Sequence, residues 1–245
     1  MDVRSYAAIN EAQRDHWWYA ARRTILDRVL GQVHAAGLPK GTLLDLGCGT
    51  GSNLPVLEKY GKAHGVDMSP EAVEFCRLQG IDNVTRADLD HLEGVPPESA
   101  SVVLLADVIE HLDDERPCLE AARAALAPGG ALIVTVPAFM FLWSPADDFA
   151  HHRRRYTAPE LKQVIGSMFE VEHLTYFNTF LFGLILAGRA TEKLLKRQGD
   201  DTYSVPPSPV NRTLKAIFSA ESFLVPKRKL PFGVSLLCVA RKRES

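Results

Sequence analysis

From Gly41 to Pro137, short apolar runs alternate with helix-like stretches. That alternation leaves few folds open, because it is the pattern of βαβ units joined into a parallel sheet. Thr42–Leu46 reads as a buried strand, Gly61–Val66 as a second and Asn83–Ala87 as a short third. Ser101–Val108, reading SVVLLADV, is a fourth, and it lacks polar alternation as a strand covered on both faces should. Ala131–Val136 is a fifth, Phe169–Tyr176 a sixth and Pro231–Arg241 a seventh. Helix signals fall between them. Ser69-Pro70-Glu71 supplies an N-cap, a first-turn proline and an early acid. Asp113–Leu126 is closed by Pro128-Gly129-Gly130, and Thr157-Ala158-Pro159-Glu160 forms a capping box.

A chain of 245 residues suits one large α/β domain better than two small ones. Its net charge of −2 supplies no basic field, so no nucleic-acid partner is expected. The four cysteines (Cys48, Cys76, Cys118, Cys238) form no CxxC pair, which argues against a disulfide framework or a zinc ribbon. The first residues carry charges and no apolar h-region, and no apolar run reaches the roughly 18–20 residues of a membrane span. A cytoplasmic location is the expectation; the oligomeric state stays open.

The chemistry begins at Leu43-Leu44-Asp45-Leu46-Gly47-Cys48-Gly49-Thr50-Gly51. Glycines after a first strand let a ligand approach the backbone at the start of the next helix. A dinucleotide fingerprint reads GxGxxG, but here the third glycine arrives one step early, at Gly51 instead of position 52. GxGxG with an acid on the strand, Asp45, suits a ligand that lacks a pyrophosphate and carries an ammonium. Asp67 follows Gly47 by 20 residues at the end of the second strand, where a carboxylate can accept both ribose hydroxyls. Asp88 ends the third strand and can accept an exocyclic amine. Three acids at successive strand ends describe an adenosine with a positively charged tail.

DLGCGTG, the GVD at 65–67, the AD at 87–88, ADVIEHL at 106–112 and LAPGG at 126–130 together resemble the class I S-adenosylmethionine-dependent methyltransferases, type-11 branch. The resemblance covers about residues 41–165 well and the flanks more loosely. It implies that Asp45, Gly47, Gly49 and Gly51 hold the methionine end, that Asp67 chelates the ribose, and that Asp88 faces the adenine. Met68, Leu89 and Ala106 then complete the cofactor pocket. The implied cofactor is S-adenosyl-L-methionine, leaving as S-adenosyl-L-homocysteine.

A sulfonium methyl is already activated, so the protein must align a nucleophile and exclude water; a general base helps when that nucleophile is a hydroxyl. His111 after the fourth strand, and His151 and His152 after the fifth, are the candidates. A divalent metal held by Asp107, Glu110, His111 and a later histidine is conceivable. Some relatives carry a Glu-x-x-Glu-His pattern there, but the first acid here is the shorter Asp107, and no metal is expected. Trp17, Trp18, Arg22, Trp143, Arg154 and Tyr156 are candidate substrate contacts. An arginine of the N-terminal pair Arg22-Arg23 could meet the methionine carboxylate, and Arg154 a substrate anion. The alternative readings are helix anchors for the tryptophans and ordinary ion pairs for the arginines.

The whole reads as a single doubly wound domain with a seven-stranded sheet whose last strand is antiparallel. A helical cover occupies 1–38, the cofactor-binding core 41–176, a helical insertion 178–230 and the final strand 231–241. The insertion reads as an apolar helix from Thr179 to Arg197, a polar linker over 198–210 and a helix from Asn211 to Leu224. From Arg189 to Ser245 there are twelve Lys/Arg against five Asp/Glu, so an apolar helix with a basic continuation makes peripheral membrane contact a candidate role. The expected function is O-methylation of a small, hydrophobic or lipid-linked metabolite. The alternatives are N-methylation of a small amine or a macromolecule, or cofactor binding without catalysis.

Overall fold

The computed structural model describes residues 3–195 and 205–243. Seven strands form one sheet: β1 (Thr42–Leu46), β2 (Ala63–Asp67), β3 (Val84–Arg86), β4 (Ala100–Ala106), β5 (Leu126–Pro137), β6 (Phe169–Phe177) and β7 (Ser235–Lys242). Their order is β3-β2-β1-β4-β5-β7-β6. Neighbours from β3 to β5 pair in parallel, and β7 runs antiparallel between β5 and β6. The expected seven-stranded, doubly wound fold is therefore observed. The order reverses between β1 and β4, which places a ligand crevice above the carboxyl ends of those strands.

Helices α1 (Val3–Asp15), α2 (Trp17–Ala35), α3 (Leu54–Leu57), α4 (Pro70–Leu78) and α5 (Arg116–Ala125) are joined by α6 (Pro145–Phe149), α7 (Ala158–Gly166), α8 (Phe182–Leu195) and α9 (Ser208–Ala220). Two apolar layers cover the sheet. On one face α5 and α7 contribute Leu119, Ala122, Leu161 and Ile165 to a core with alternate residues of the strands. On the other face α2 supplies Ile25, Leu26, Val29 and Leu30, joined by Phe218 of α9. Burial on both sides is why β4 and β5 are apolar without alternation.

Element ends move where turn chemistry overrides periodicity. β5 begins at Leu126, not at 131, because Leu126 pairs with Ala100 of β4 and the PGG segment forms an irregularity before the ladder resumes at Ala131 and Val102. The preceding helix starts at Arg116, three residues late, after a turn in which Asp114 accepts the Arg116 N–H at 3.0 Å. β7 begins at Ser235. In the insertion, α8 starts at Phe182, and the expected helix end at Arg197 and most of the 198–210 linker lie outside the described residues.

Candidate cofactor and acceptor site

The glycine turn sits at the ends of β1 and β2. Gly47 and Gly49 have φ of +71° and +53°, a left-handed conformation that side chains rarely adopt. A Cβ on Gly47 would stand 2.8 Å from Val108 Cγ2, whereas one on Gly49 would meet nothing within 4 Å, so the backbone there faces open space. The Gly51 N–H closes the turn on the Cys48 carbonyl at 2.9 Å. Asp67 reaches back from β2. Its Oδ2 accepts the Gly49 N–H at 2.8 Å and its Oδ1 the Ser69 N–H at 2.9 Å. Burial raises its pKa, and those two N–H groups work against the rise. Each oxygen keeps a further lone pair for a hydroxyl donor.

Asp45 on β1 is 1 % exposed, and neither of its oxygens has a hydrogen-bond partner. Burial pushes its carboxyl up to about 7, moderated by the nearby Asn53 amide and Arg22 guanidinium. Arg22, buried on α2, donates through Nη1 to Asp107, leaves Nε unpartnered, and lies 4.9 Å from the Trp18 ring centroid. A buried carboxylate without a partner is costly, and so is an unused buried donor. Together they fit the zwitterionic end of an amino acid, ammonium to Asp45 and carboxylate to Arg22. Gln13 of α1 accepts a hydrogen bond from Thr50 Oγ1 and ties the N-terminal helices to the glycine turn.

Farther along the edge, Asp88 is exposed beyond β3, with Oδ1 accepting the Asp90 N–H. Met68 is 58 % exposed, Leu89 is buried and Ala106 ends β4. Asp107 has φ +59° and is held by Arg22 and by Thr135, whose hydroxyl donates at 3.2 Å. It is committed to these partners, so the expected donor set of Asp107, Glu110, His111 and a later histidine is not assembled whole.

A different set is. Glu110, wholly buried in the short turn Ile109–His111, has no partner on either oxygen. Burial, and then the charge of Asp107, raises its pKa well above the ordinary value. The rings of His111 and His152 lie 4.7 Å apart at 77°, and His152 Nε2 stands 4.0 Å from Glu110 Oε1. Ligating atoms of Glu110, His111 and His152 fall within 4.8 Å of one another, close enough to hold a divalent cation. His111 is lowered in pKa, first by burial and then by His152. His152 Nδ1 is 2.9 Å from Asp147 Oδ1. Although burial opposes it, bonds from His152 and from the Arg155 fork hold the Asp147 carboxyl well below the usual range. The Arg155 bonds are 2.8 and 3.0 Å. Ionised Asp147 thereby fixes the orientation of the His152 ring, with Nε2 turned toward Glu110.

The structure separates the other candidates. His151 is exposed in a left-handed turn, and its backbone, not its ring, touches His111. Arg154 is no free anion clamp: it bonds Glu115 at 2.9 Å and the carbonyls of Leu112 and Asp113, stapling its loop to the approach of α5. Tyr156 is buried beneath the Ile109 turn, so it is a core residue and not a substrate contact. Trp17 packs edge-on against Phe218 and anchors α2 to α9, while Trp18 stays with Arg22. Trp143 donates to Asp148 within its own loop. Asp147 and Arg155 were missing from the sequence-derived site. The Ser144-Pro145-Ala146-Asp147 capping box was the available signal, because it buries the acid at a helix start five residues before a histidine.

Comparison with known proteins follows this geometry. Residues 44–134 match the model of a family described as "Methyltransferase domain". A ubiquinone biosynthesis O-methyltransferase of Xanthomonas campestris pv. campestris is 27 % identical over 139 residues, covering 51 % of this chain and 57 % of that protein. One of the same description from Xylella fastidiosa is 28 % identical over 145 residues, again covering 51 % and 57 %. The chain thus spans little more than half the length of these curated relatives. Among solved structures, an S-adenosylmethionine-dependent methyltransferase from Archaeoglobus fulgidus aligns with TM-score 0.57 at 21 % identity, covering 90 % of this chain and 94 % of that one. A [4+2]-cyclase aligns with TM-score 0.55 at 19 % identity, covering 89 % and 82 %, so the fold alone does not dictate methyl transfer. Sheet order, glycine turn and strand-end acids define a Rossmann-like nucleoside-binding fold. Residues 44–134 carry the match to the methyltransferase-domain family, and the likeness to the solved methyltransferase structure is one of fold.

Proposed function

We propose that the chain transfers a methyl group from S-adenosylmethionine to an oxygen of a small molecule. The bound cofactor would supply an electrophilic methyl on sulfur. Asp45 and Arg22 hold the amino-acid end, Asp67 orients the ribose, Asp88 meets the adenine beside Met68, and the open backbone at Gly49 permits close approach. His152 is the general base: Nε2 takes the acceptor's hydroxyl proton while Asp147 stabilises the imidazolium that forms. His111 packs beside it and narrows the water-accessible space. The observation that carries this reading is the Asp147–His152 bond, which orients a basic nitrogen beside the ends of β4 and β5. The similar O-methyltransferases support an oxygen acceptor.

The test is His152→Ala with a panel of phenolic and carboxylic acceptors. Turnover should fall by roughly 10²–10⁴ with S-adenosylhomocysteine affinity unchanged. Undiminished turnover would remove the base. A second reading rests on Glu110: with His111 and His152 it would hold a divalent cation that lowers the acceptor's pKa. Activity indifferent to a chelator supports the histidine base. Activity lost to a chelator and restored by Mg²⁺ or Zn²⁺ assigns the role to the cation.

A further inference from the structure

Between α2 and the β6–β7 edge of the sheet, away from the glycine turn, lies a hollow of about 430 Å³ that the proposed chemistry does not use. α2 gives it Val29 and Val33, β7 gives Val239, and the turn after α9 gives Pro226 and Lys227. The three valines are buried and belong to the apolar layer between α2 and the sheet. β6 supplies two consecutive residues, Glu172 and His173, to the same hollow. Successive side chains of a regular strand point to opposite faces, so a regular strand would offer only one of them. The ladder between β6 and β7 slips at this point: Val171 pairs with Ala240 and His173 with Val239, which leaves Glu172 as an extra residue. That bulge turns Glu172 toward Arg241, which lies two residues beyond Val239 and so on its face of β7.

The polar groups of the hollow are held in place by the fold itself. Arg241 Nε donates to both oxygens of Glu172 at 3.2 Å, and Nη1 to the carbonyls of Gly37 at 3.2 Å and Gly129 at 3.0 Å. Its guanidinium is thereby fixed, and Nη2 makes no bond among the described residues. His173 Nε2 lies 2.7 Å from the Val225 carbonyl, which can only accept, so this ring is fixed as well. Lys227 is exposed at the rim, and its side chain makes neither an ion pair nor a hydrogen bond among the described residues. Glu172 offsets the charge of Arg241, which leaves Lys227 as one unbalanced cation beside an apolar floor. A cavity of a few hundred Å³ with an apolar wall and a few convergent polar groups is the usual form of a small-molecule site. A monocarboxylate with an apolar body fits this one. Its single charge balances Lys227, its oxygens can accept from Lys227 Nζ and Arg241 Nη2, and its body covers the valines. Donors already fixed lower the cost of ordering the site on binding. A phosphate ester would bring close to a second negative charge beside Glu172, with no cation left to meet it.

We propose that this hollow binds a small monocarboxylate with an apolar chain or ring, its carboxylate on Lys227 and Arg241 and its apolar part on Val29, Val33 and Val239. The site shares no residue with the cofactor crevice or with the histidine pair. It therefore does not rest on the methyl-transfer reading and is tested without an activity assay.

The experiment is titration calorimetry of the full chain with octanoate, beside octanol and acetate. Octanoate should bind saturably, one to one, with a Kd of about 1 mM or tighter. Octanol lacks the charge and acetate the apolar body, so each should bind about tenfold more weakly or worse. Lys227→Glu should weaken octanoate binding by about tenfold or more, since it removes a cation and sets a second acid beside Glu172. Ala36, exposed at the end of α2, also lines the hollow, and Ala36→Trp should fill it and abolish binding. Both variants change exposed side chains and should keep the wild-type circular dichroism and S-adenosylhomocysteine affinity. The proposal is overturned if the wild-type chain shows no saturable octanoate binding, or if octanol or acetate binds as tightly as octanoate. It is equally overturned if either variant binds octanoate as the wild-type chain does, because the octanoate would then sit elsewhere on the protein.

Discussion

Asp45 is a carboxyl that the empty fold holds at a cost in stability. Buried without a partner, its carboxyl is raised to about 7, whereas an unfolded aspartate titrates near 3.9. The folded state therefore binds the extra proton between those values, and stability falls as pH rises from about 4 to about 7. Asp45→Asn should consequently stabilise the empty protein at pH 8, on the order of 2 kcal/mol, and much less at pH 4.5. The same variant should bind S-adenosylhomocysteine at least tenfold more weakly at pH 8, because the ammonium loses a charged acceptor. Wild-type affinity should drop as pH falls below about 7, while that of Asp45→Asn stays flat. Urea melts and calorimetry at the two pH values check both halves. A pH-independent wild-type affinity would mean that Asp45 does not meet the ammonium.

At the scale of elements, the segment from β5 to α7 is held by its three consecutive arginines, each to a different partner. Arg155 forms a buried fork with Asp147, Arg154 a half-buried tie to Glu115, and Arg153 an exposed pair with Asp113. Their contributions should follow burial. Arg155→Met removes the guanidinium facing buried Asp147, leaving only His152 and Ser144 on it, and should cost about 3 kcal/mol, whereas Arg153→Ala should cost about 1 kcal/mol or less. Equal costs in denaturant unfolding would contradict the graded account. This segment also shows where sequence reading stops. The strands were legible because double-sided burial writes itself as uninterrupted apolar runs, and the glycine turn because few residues tolerate its backbone. Arg154 was ambiguous between substrate contact and ion pair, since its partners Glu115, Leu112 and Asp113 lie about forty residues away. Asp147 carries no sequence signal beyond the Ser144–Asp147 capping box, and the turn sets it against His152. The two N-terminal tryptophans divide for a similar reason: α9, which anchors Trp17, is distant in sequence.

For the whole molecule, the cofactor crevice joins parts that are far apart along the chain. α1 reaches the glycine turn through Gln13, and α2 brings Arg22 to Asp107 at the end of β4. A ligand that fills the crevice should stabilise all of these together. At a hundred times its Kd, S-adenosylhomocysteine should add about 2.7 kcal/mol, which for a chain of this size raises Tm by roughly 5–10 °C. A single melting transition that moves as a unit is the expected trace; a shift confined to a minor early transition would place the ligand on a detachable part.

The central claim is that the ends of β1, β2 and β4 bind S-adenosylmethionine through Asp67 and its neighbours, and titration calorimetry with S-adenosylhomocysteine tests it most directly. The wild-type chain should show saturable one-to-one binding, and Asp67→Ala should weaken it by about 1.5–3 kcal/mol, tenfold or more. No measurable binding by the wild-type protein, or the same affinity in Asp67→Ala, would contradict the account.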